Sequence, residues 1–282
     1  MRVLAHAHSR WSHDSSLSLL FWVECARQLG VDAVLLTEHE DAGWTPERYA
    51  DYVKACRMES TPDVALIPGI EFSQEGRHIL CYGLDAFPAR PSSLDALATS
   101  ARQQGRWLCL AHPAKYRWEY PAGFLDAVDA VEVWNSKWIY DGVLGPHPRS
   151  LALARGKVWL AGQDVHKPRH LSRLFIETPS PDPLADIAAG RYAFSWAGRR
   201  IGAEQLQGRP IAGVAQRART ILLRNALTAH RFVRRLRRVG PIARGVSCPG
   251  SGEPAPGFAR GSAAEKEVGT VEVIDECRSG RV

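Results

Sequence analysis

In the stretch Arg2-Val3-Leu4-Ala5-His6-Ala7-His8, a run of aliphatic residues leads into a His-x-His pair. Its aliphatic residues predict a short strand, in which side chains two residues apart point to the same face. His6 and His8 are therefore expected to reach one ion from one side of a sheet. Imidazole is a common ligand of divalent first-row metals in hydrolytic sites. An isolated His-x-His pair is weak evidence, so the prediction depends on the rest of the chain.

Further histidine and carboxylate clusters stand at the ends of other hydrophobic runs, and a histidine opens one more. They are Thr37-Glu38-His39, Gly69-Ile70-Glu71, His78, Ala111-His112-Pro113 and Asp164-Val165-His166. The runs are short, aliphatic and bounded by Gly, Pro or polar residues, which is typical of buried parallel strands. They cover residues 31–36, 64–70, 79–84, 107–111, 130–134 and 158–161. We infer one polynuclear metal centre built at strand ends, which indicates metal-assisted hydrolysis.

Four helices are predicted between these runs from capping residues, proline in the first turn and glycine after the last turn. They begin at Ser15 or Ser16, Thr45, Ser93 and Pro148, and the first, third and fourth are followed by Gly30, Gly105 and Gly156. About seven strands alternating with helices indicate a βαβ architecture, either barrel-like or doubly wound. Because the working residues of such barrels gather at the carboxyl ends of the strands, the positions of the clusters favour the barrel.

The clusters together resemble the motifs of the polymerase and histidinol phosphatase (PHP) family of metal-dependent phosphoesterases. The matching stretches are His6-Ala7-His8-Ser9 with Ser12-His13-Asp14-Ser15, Leu36-Thr37-Glu38-His39, Pro68-Gly69-Ile70-Glu71, His78-Ile79-Leu80, Ala111-His112-Pro113 and Gly162-Gln163-Asp164-Val165-His166. They cover residues 1 to about 200 in the family's order and approximate spacing. The resemblance implies an α/β fold, a distorted (β/α)7 barrel, that holds two or three divalent metal ions, commonly manganese, iron or zinc.

The resemblance also implies a set of metal ligands. A first metal would take His6, His8, Glu71 and Asp164. A second would share Glu71 as a bridge and also take His78 and His112. A third would take His39, His166 and either Asp14 or His13, with Asp14 preferred.

Two features depart from the family pattern. The family usually has Thr-Asp-His where this chain has Thr37-Glu38-His39, which keeps a carboxylate on a longer arm. The ligand after the His-x-His pair varies in the family, so His13 and Asp14 compete for that place. Helix capping is the alternative role for Asp14. His78 opens a strand, and its alternative is a half-buried structural role.

A centre of this kind predicts phosphoester hydrolysis by a metal-bound hydroxide. The ions lower the pKa of a bridging water and offset charge on the attacked phosphorus and the leaving oxygen. Asp164 and His166 are the two catalytic candidates for passing a proton to the leaving group. Four cations next to the motifs are candidates for the substrate phosphate, and one or two of them are expected to contact it. They are Arg10, Lys115, Lys137 and Lys167.

The net charge of +6 is unevenly distributed along the 282 residues. The stretch from Arg199 to Arg244 contains 12 arginines and one acid, whereas the residues before and after it are mildly acidic. Residues 201–240 are predicted to form an arginine-rich helical extension, and residues 241–282 a disordered tail. Three roles for the basic stretch stay open: an arm for nucleic acid or another polyanion, a helix at a membrane surface, and a helix packed on the catalytic domain.

Composition fits an intracellular enzyme with one PHP-type domain, residues 1–200. A transmembrane segment or cleavable signal is not expected, because no long apolar run occurs. The six cysteines have no Cys-x-x-Cys spacing, which predicts free thiols and a cytoplasmic location. The predicted function is hydrolysis of a nucleotide, an oligonucleotide or a small phosphomonoester. The alternatives are a histidinol-phosphate phosphatase and, from another class, a non-catalytic PHP module that binds polyanions or regulates a partner.

Overall fold

The computed structural model describes residues 1–41, 43–88, 91–137 and 145–202. The strands are β1 (Arg2–Ala7), β2 (Ala33–Leu36), β3 (Glu38–His39), β4 (Ala65–Ile67), β5 (Gly69–Gln74), β6 (Arg77–Tyr82), β7 (Leu108–Leu110), β8 (Ala130–Asn135), β9 (Val158–Gly162), β10 (Leu174–Glu177), β11 (Ala193–Trp196) and β12 (Arg199–Gly202). The helices are α1 (Leu19–Leu29), α2 (Pro46–Glu59), α3 (Leu94–Gln103), α4 (Pro148–Leu153) and α5 (Pro183–Ala188). The predicted extension beyond residue 202 and the predicted tail lie outside the described residues.

The strands form two six-stranded sheets. The first has the order β12-β11-β10-β1-β2-β4, and the second has the order β3-β5-β6-β7-β8-β9. One chain segment contributes β2 to the first sheet and β3 to the second, and the next contributes β4 and β5 in the same way. Helices separate many of the strands along the chain. The predicted mixed α/β class is confirmed, and the barrel stays a prediction.

The end of β9 lies beside β1 of the other sheet. Gln163 donates its backbone N–H to Ala5 O at 3.0 Å, and Val165 donates to His6 O at 3.1 Å. The His8 N–H in turn donates to Val165 O at 2.9 Å. These bonds bring the segment after β9, which carries Asp164 and His166, against the His-x-His strand.

Strand β6 runs antiparallel to both of its neighbours, β5 and β7. The sequence pattern predicted parallel strands for these runs, and that prediction is wrong here. Glu75 and Gly76, with φ of 50° and 71°, form a two-residue turn between β5 and β6. So short a turn joins antiparallel strands only, because a parallel connection needs a crossover of a dozen or more residues. The hairpin brings His78 to the same end of the sheet as Glu71.

The helix caps follow the sequence with one exception. Thr45 and Ser93 each accept a backbone N–H in the first turn of α2 and α3, as predicted. Helix α1 begins at Leu19 with Ser18 as its cap, not at Ser15 or Ser16. The Ser15 hydroxyl instead donates to the backbone oxygen of His8 at 3.2 Å, so this serine belongs to the loop that supports the His-x-His strand.

The core packs helices directly against the strands that carry the clusters. Trp22 of α1 is fully buried, and its Nε1–H donates to the backbone oxygen of His8 at 3.1 Å. Trp134 of β8 is equally buried and packs near Phe194 and Trp196 of β11. Such close-packed side chains hold the strand ends rigidly. Within the described part of the chain, no helix has the length and apolarity needed to cross a membrane.

Candidate metal centre

The predicted ligands converge on one cavity of about 370 Å³ at the ends of the strands. It is lined by His13, Asp14, His39, Glu40, Glu71, Ser73, His78, His112, Lys115, Lys137, Asp164 and His166. His6 and His8 lie fully buried beneath them. The nine residues predicted as ligands therefore occupy one site, although they are spread over residues 6 to 166 of the chain.

His6 and His8 share a face through a β-bulge rather than through regular strand alternation. Between Ala5 and Ala7 the register of β1 against β2 shifts, and His6 takes the left-handed φ of 62°. A bulge adds a residue to one strand and re-aims a side chain. The Nε2 atoms of His6 and His8 consequently lie 3.6 and 3.4 Å from Asp164 Oδ1. The two imidazoles converge through this bulge and not through the regular strand geometry that the sequence predicted, and their sharing of one ion stays a prediction.

Glu71 stands at the middle of the cluster, with a different set of histidines at each carboxylate oxygen. Oε1 contacts His78 Nδ1 and lies 3.2 Å from His112 Nε2. Oε2 lies 3.1 Å from His39 Nδ1, 3.3 Å from His8 Nε2 and 3.5 Å from His6 Nε2. The side chain is fully buried. This arrangement suits a carboxylate shared between two ions.

Asp164 and His166 also line the cavity and contact each other. Asp164 Oδ1 lies 3.2 Å from His166 Nδ1, and Asp164 Oδ2 lies 3.0 Å from Lys137 Nζ. Lys137 Nζ is also 3.1 Å from His166 Nδ1. A lysine ammonium therefore contacts both residues that the sequence proposes for proton transfer.

Asp14 lies closer to the predicted ligands than His13 does. Asp14 Oδ2 is 2.9 Å from His166 Nε2 and 3.5 Å from His39 Nε2. The ring of His13 meets His39 only by a tilted ring contact with centroids 5.4 Å apart. Ser18, not Asp14, caps helix α1. The geometry therefore favours Asp14 as the ligand of the contested pair.

The ligand atoms fit divalent metal ions. Four triplets have atoms within 4.8 Å of one another: His6 with Glu71 and His112, His6 with His8 and Asp164, His8 with His39 and His166, and His39 with Glu71 and His78. Two atoms that are each about 2.1 Å from a tetrahedral ion stand roughly 3.4 Å apart, which matches the separations given above. The buried atoms His6 Nε2, His8 Nε2 and Glu71 Oε2 have close polar neighbours but no hydrogen bond of suitable geometry among the described residues. Buried polar atoms without a partner are costly, so a cation between them would remove that cost.

The protonation of the cluster also suits metal binding. Burial lowers the pKa of His8 to about 3 and that of His39 to about 4. Burial acts to raise the pKa of Glu71 and of Asp164, but the surrounding histidines outweigh it and hold both pKa values well below the usual range. Burial acts to lower the pKa of His6, but nearby carboxylates raise it well above the usual value. At neutral pH, His8 and His39 are therefore neutral, as metal binding requires. His6 is protonated and would release a proton on binding a metal.

Three of the predicted ligands hold left-handed backbone conformations. His6, His112 and Asp164 have φ of 62°, 27° and 50°. Each such conformation costs a non-glycine residue on the order of 1–3 kcal/mol and persists only where the surrounding structure fixes it. The strain lies where the ligands meet, as at other functional sites.

Only two of the four candidate phosphate-binding cations reach the cavity. Lys115 lines it, with Nζ 3.3 Å from His78 Nε2, and Lys137 lines it beside Asp164. Arg10 and Lys167 are exposed and do not line it. Two of the four cations therefore lie where they could meet a substrate, in line with the expected one or two, and their contact with phosphate stays a prediction.

Two buried glutamates support the cluster from outside the cavity. Glu132 contacts His6 Nδ1 at 2.9 Å, and its only sequence signal is an acid inside the apolar run of residues 130–134. Glu38 accepts hydrogen bonds from Ser9 and Ser12 instead of facing the cavity, and burial raises its pKa to about 7. The longer arm of Glu38 thus ends in the serine loop next to His8.

No family model matches the chain, and no curated protein matches it. Among solved structures it is similar to PsfC from Pseudomonas syringae PB-5123, at 18% identity over 80% of this chain and 98% of that one, with a TM-score of 0.51. At that identity the likeness shows the fold alone. Two others have lower TM-scores. One is an amidohydrolase from Chromobacterium violaceum (15% identity, 67% and 96% covered, 0.45). The other, from Bifidobacterium adolescentis, is provisionally named a metal-dependent phosphoesterase (14%, 75% and 98%, 0.44).

Proposed function

We propose that this chain is a metal-dependent phosphoesterase of the PHP type, built on a distorted (β/α)7 barrel. One observation carries the proposal: histidines and carboxylates from separate strands meet around Glu71, and two lysines stand at the same cavity. Imidazole and carboxylate together suit manganese, iron or zinc. Lysine ammoniums beside them suit an anionic substrate.

We propose that two or three divalent ions bind to the ligand sets that the resemblance to the PHP family implies. Glu71 would be the shared ligand, with His6, His8 and Asp164 on one side and His78 and His112 on the other. Asp14, His39 and His166 would hold the third ion. When bound, such ions activate a water molecule and offset the charge that develops on a phosphoryl group.

The chain's own residues would orient the phosphoester and move one proton. Lys115, beside His78, and Lys137, beside Asp164, would hold the phosphoryl oxygens as fixed positive charges. Asp164 or His166 would carry the proton to the leaving oxygen. Their contact at 3.2 Å lets them act as a pair, and Lys137 beside both disfavours the doubly protonated state.

A nucleotide, an oligonucleotide or a small phosphomonoester is the proposed substrate class, and histidinol phosphate is the specific alternative. An arm from Arg199 to Arg244 would add contacts to nucleic acid or another polyanion. A cytoplasmic location belongs to the same proposal, supported by the thiols of Cys56, Cys81 and Cys109, which are buried and form no disulfide. A non-catalytic, polyanion-binding module is the alternative of another class, and the complete ligand set disfavours it.

The test is a screen of purified protein with measured metal content. Manganese, iron and zinc forms are incubated with phosphomonoesters, nucleotides and short oligonucleotides, and phosphate release is followed. We expect hydrolysis that chelation removes and metal restores. Protein that binds metal but releases phosphate from none of these would favour the non-catalytic alternative. Protein that binds none of the three metals would contradict the whole proposal.

A further inference from the structure

Glu132 is a fully buried carboxylate in the middle of β8 that contacts two of the predicted ligands. Its Oε1 lies 2.9 Å from His6 Nδ1. Its Oε2 accepts the backbone N–H of His112 at 2.7 Å and the Nδ2–H of Asn135 at 2.8 Å. Both carboxylate oxygens of Glu132 therefore have polar partners. The two predicted ligands that they contact come from separate parts of the chain, His6 from β1 and His112 from the segment after β7.

The partners of Oε2 are fixed as donors. A backbone N–H such as that of His112 only donates. The amide of Asn135 is oriented by its other end, because Oδ1 accepts the backbone N–H of Lys137 at 3.0 Å. Its NH2 group must then face Glu132. The position of Oε2 consequently requires an acceptor oxygen.

This arrangement decides which nitrogen of His6 is available to a metal. A carboxylate accepts, so His6 Nδ1 must carry the proton that points at Oε1. Nε2 is then the nitrogen turned toward Glu71 Oε2 at 3.5 Å and Asp164 Oδ1 at 3.6 Å. Donation from Nδ1 to a carboxylate also makes a histidine a more basic metal ligand through Nε2.

The neighbouring strand leaves room for Glu132 through the absence of a side chain. A Cβ at Gly162 of β9 would stand 1.6 Å from Glu132 Oε1 and 2.9 Å from His6 Cβ. Real Cβ atoms do not approach that closely, so any other residue here would push the carboxylate or the imidazole aside. Glycine at this place is therefore part of the same arrangement.

We propose that Glu132 is a positioning residue that fixes the tautomer of His6 and the backbone of His112 for metal binding. The inference rests on the proposed function, because it requires the metal centre to form. Glu132 itself does not line the cavity. Its effect would therefore appear in metal affinity before it appears in catalysis.

The substitution Glu132→Gln tests this at constant side-chain shape. The Oε2 position needs an oxygen, so the new NH2 group must face His6 Nδ1. His6 Nδ1 then has to accept a hydrogen bond, so the ring proton moves to Nε2, the nitrogen proposed to bind the metal. We expect zinc affinity, measured by competition with a chromophoric chelator, to fall about 10- to 100-fold.

Asp186→Asn is the matched control. Asp186 is also a fully buried carboxylate, but it contacts Ser180 and Arg191, away from the cavity. The change from carboxylate to amide is the same, so a general effect of removing buried charge would appear in both variants. We expect Asp186→Asn to keep the wild-type zinc affinity. Equal losses in both variants would overturn the proposal.

Nitrogen-15 NMR of histidine-labelled, zinc-loaded protein supplies a second readout. In the wild type, His6 should show a protonated Nδ1 and a metal-bound Nε2, and Glu132→Gln should lose that pattern. If Glu132→Gln does not fold, Glu132→Asp carries the test, because its carboxylate is drawn back from His6 by one methylene and zinc affinity should fall. Unchanged affinity in the folded variant would overturn the role of Glu132 alone. A wild type that binds no zinc, manganese or iron would contradict the proposed function instead.

Discussion

Glu71 Oε1 lies 3.2 Å from His112 Nε2, although 41 residues separate them in the chain. The two residues come from β5 and from the segment after β7, and β6 lies between these strands in the sheet. Glu71 also contacts His6, His8, His39 and His78. A change at Glu71 should therefore affect the whole centre, whereas a change at one histidine should affect one part of it.

The first prediction concerns metal content. We expect Glu71→Ala to lower the bound metal by more than one equivalent, because its two carboxylate oxygens contact different histidines. His78→Ala should lower it less, since His78 stands at one edge of the cluster. Elemental analysis after removal of loose metal measures both, and Glu59→Ala, an exposed change at the end of α2, is the control. Unchanged metal content in Glu71→Ala would contradict a bridging role.

The second prediction separates a functional carboxylate from a structural one. Asp164→Asn should lower the rate of phosphoester hydrolysis by about 10²-fold or more. The metal-free protein should still fold, because asparagine tolerates the left-handed φ of 50° at this position. Its thermal midpoint should fall only moderately, through loss of the carboxylate that contacts Lys137. Calorimetry and a phosphate-release assay give the two values. Retained activity with a large loss of stability would make Asp164 structural.

The third prediction concerns the contested ligand. We expect Asp14→Ala to lower metal content and activity more than His13→Ala does, because Asp14 Oδ2 is 2.9 Å from His166 Nε2. The two residues are adjacent and both exposed, so the pair is its own control for disturbance of the loop. The reverse ranking would assign the ligand to His13.

The fourth prediction concerns the cations at the cavity. Lys137→Met should weaken inhibition by inorganic phosphate by about tenfold, as expected for loss of one charge-assisted hydrogen bond. Arg10→Met should not weaken it, because Arg10 does not line the cavity. Inhibition constants at fixed ionic strength and equal metal content measure the difference. Equal values for Lys137→Met and the wild type would exclude Lys137 from phosphate binding.

The fifth prediction concerns pH and lies away from the metal centre. Burial, with Arg149 nearby, lowers the pKa of His147 from 6.5 to about 4. Between these values the unfolded chain binds more protons than the folded chain, so the free energy of unfolding rises with pH across this window. Its contribution is complete above the ordinary pKa and is lost as the pH falls toward 4. Because the His147 ring is partly exposed, we expect this contribution to the free energy of unfolding to be roughly 1 kcal/mol.

His147→Asn isolates that contribution. Asparagine also caps a helix, so it preserves the start of α4, where His147 Nδ1 accepts the Arg149 N–H at 3.1 Å. The loss of stability between pH 7.5 and pH 5 should be smaller in the variant than in the wild type. Thermal unfolding of metal-free protein at both pH values measures it. Identical losses would show that His147 does not set this pH dependence.

Local signals in the sequence were sufficient to predict many of the strands and helices of the fold. Short aliphatic runs predicted strands such as β1, β2, β8 and β9. Thr45 and Ser93 predicted two helix starts, because capping depends on residues a few positions apart. They were not sufficient for strand direction. The turn at Glu75 and Gly76 makes β6 antiparallel to β5. A turn of only two residues is a weak signal in the sequence, so the direction of β6 was not predicted.

The sequence by itself determined which residue types are available for the centre, because histidine and carboxylate at strand ends are a local pattern. The tertiary structure decided how they meet. The bulge at His6 aims the two histidines of β1 at one target, and Glu132 reaches His6 across 126 residues of chain. The tertiary structure also places Lys137 at the cavity and Lys167 outside the cavity. These outcomes depend on backbone register and packing between distant segments, and no stretch of neighbouring residues encodes them.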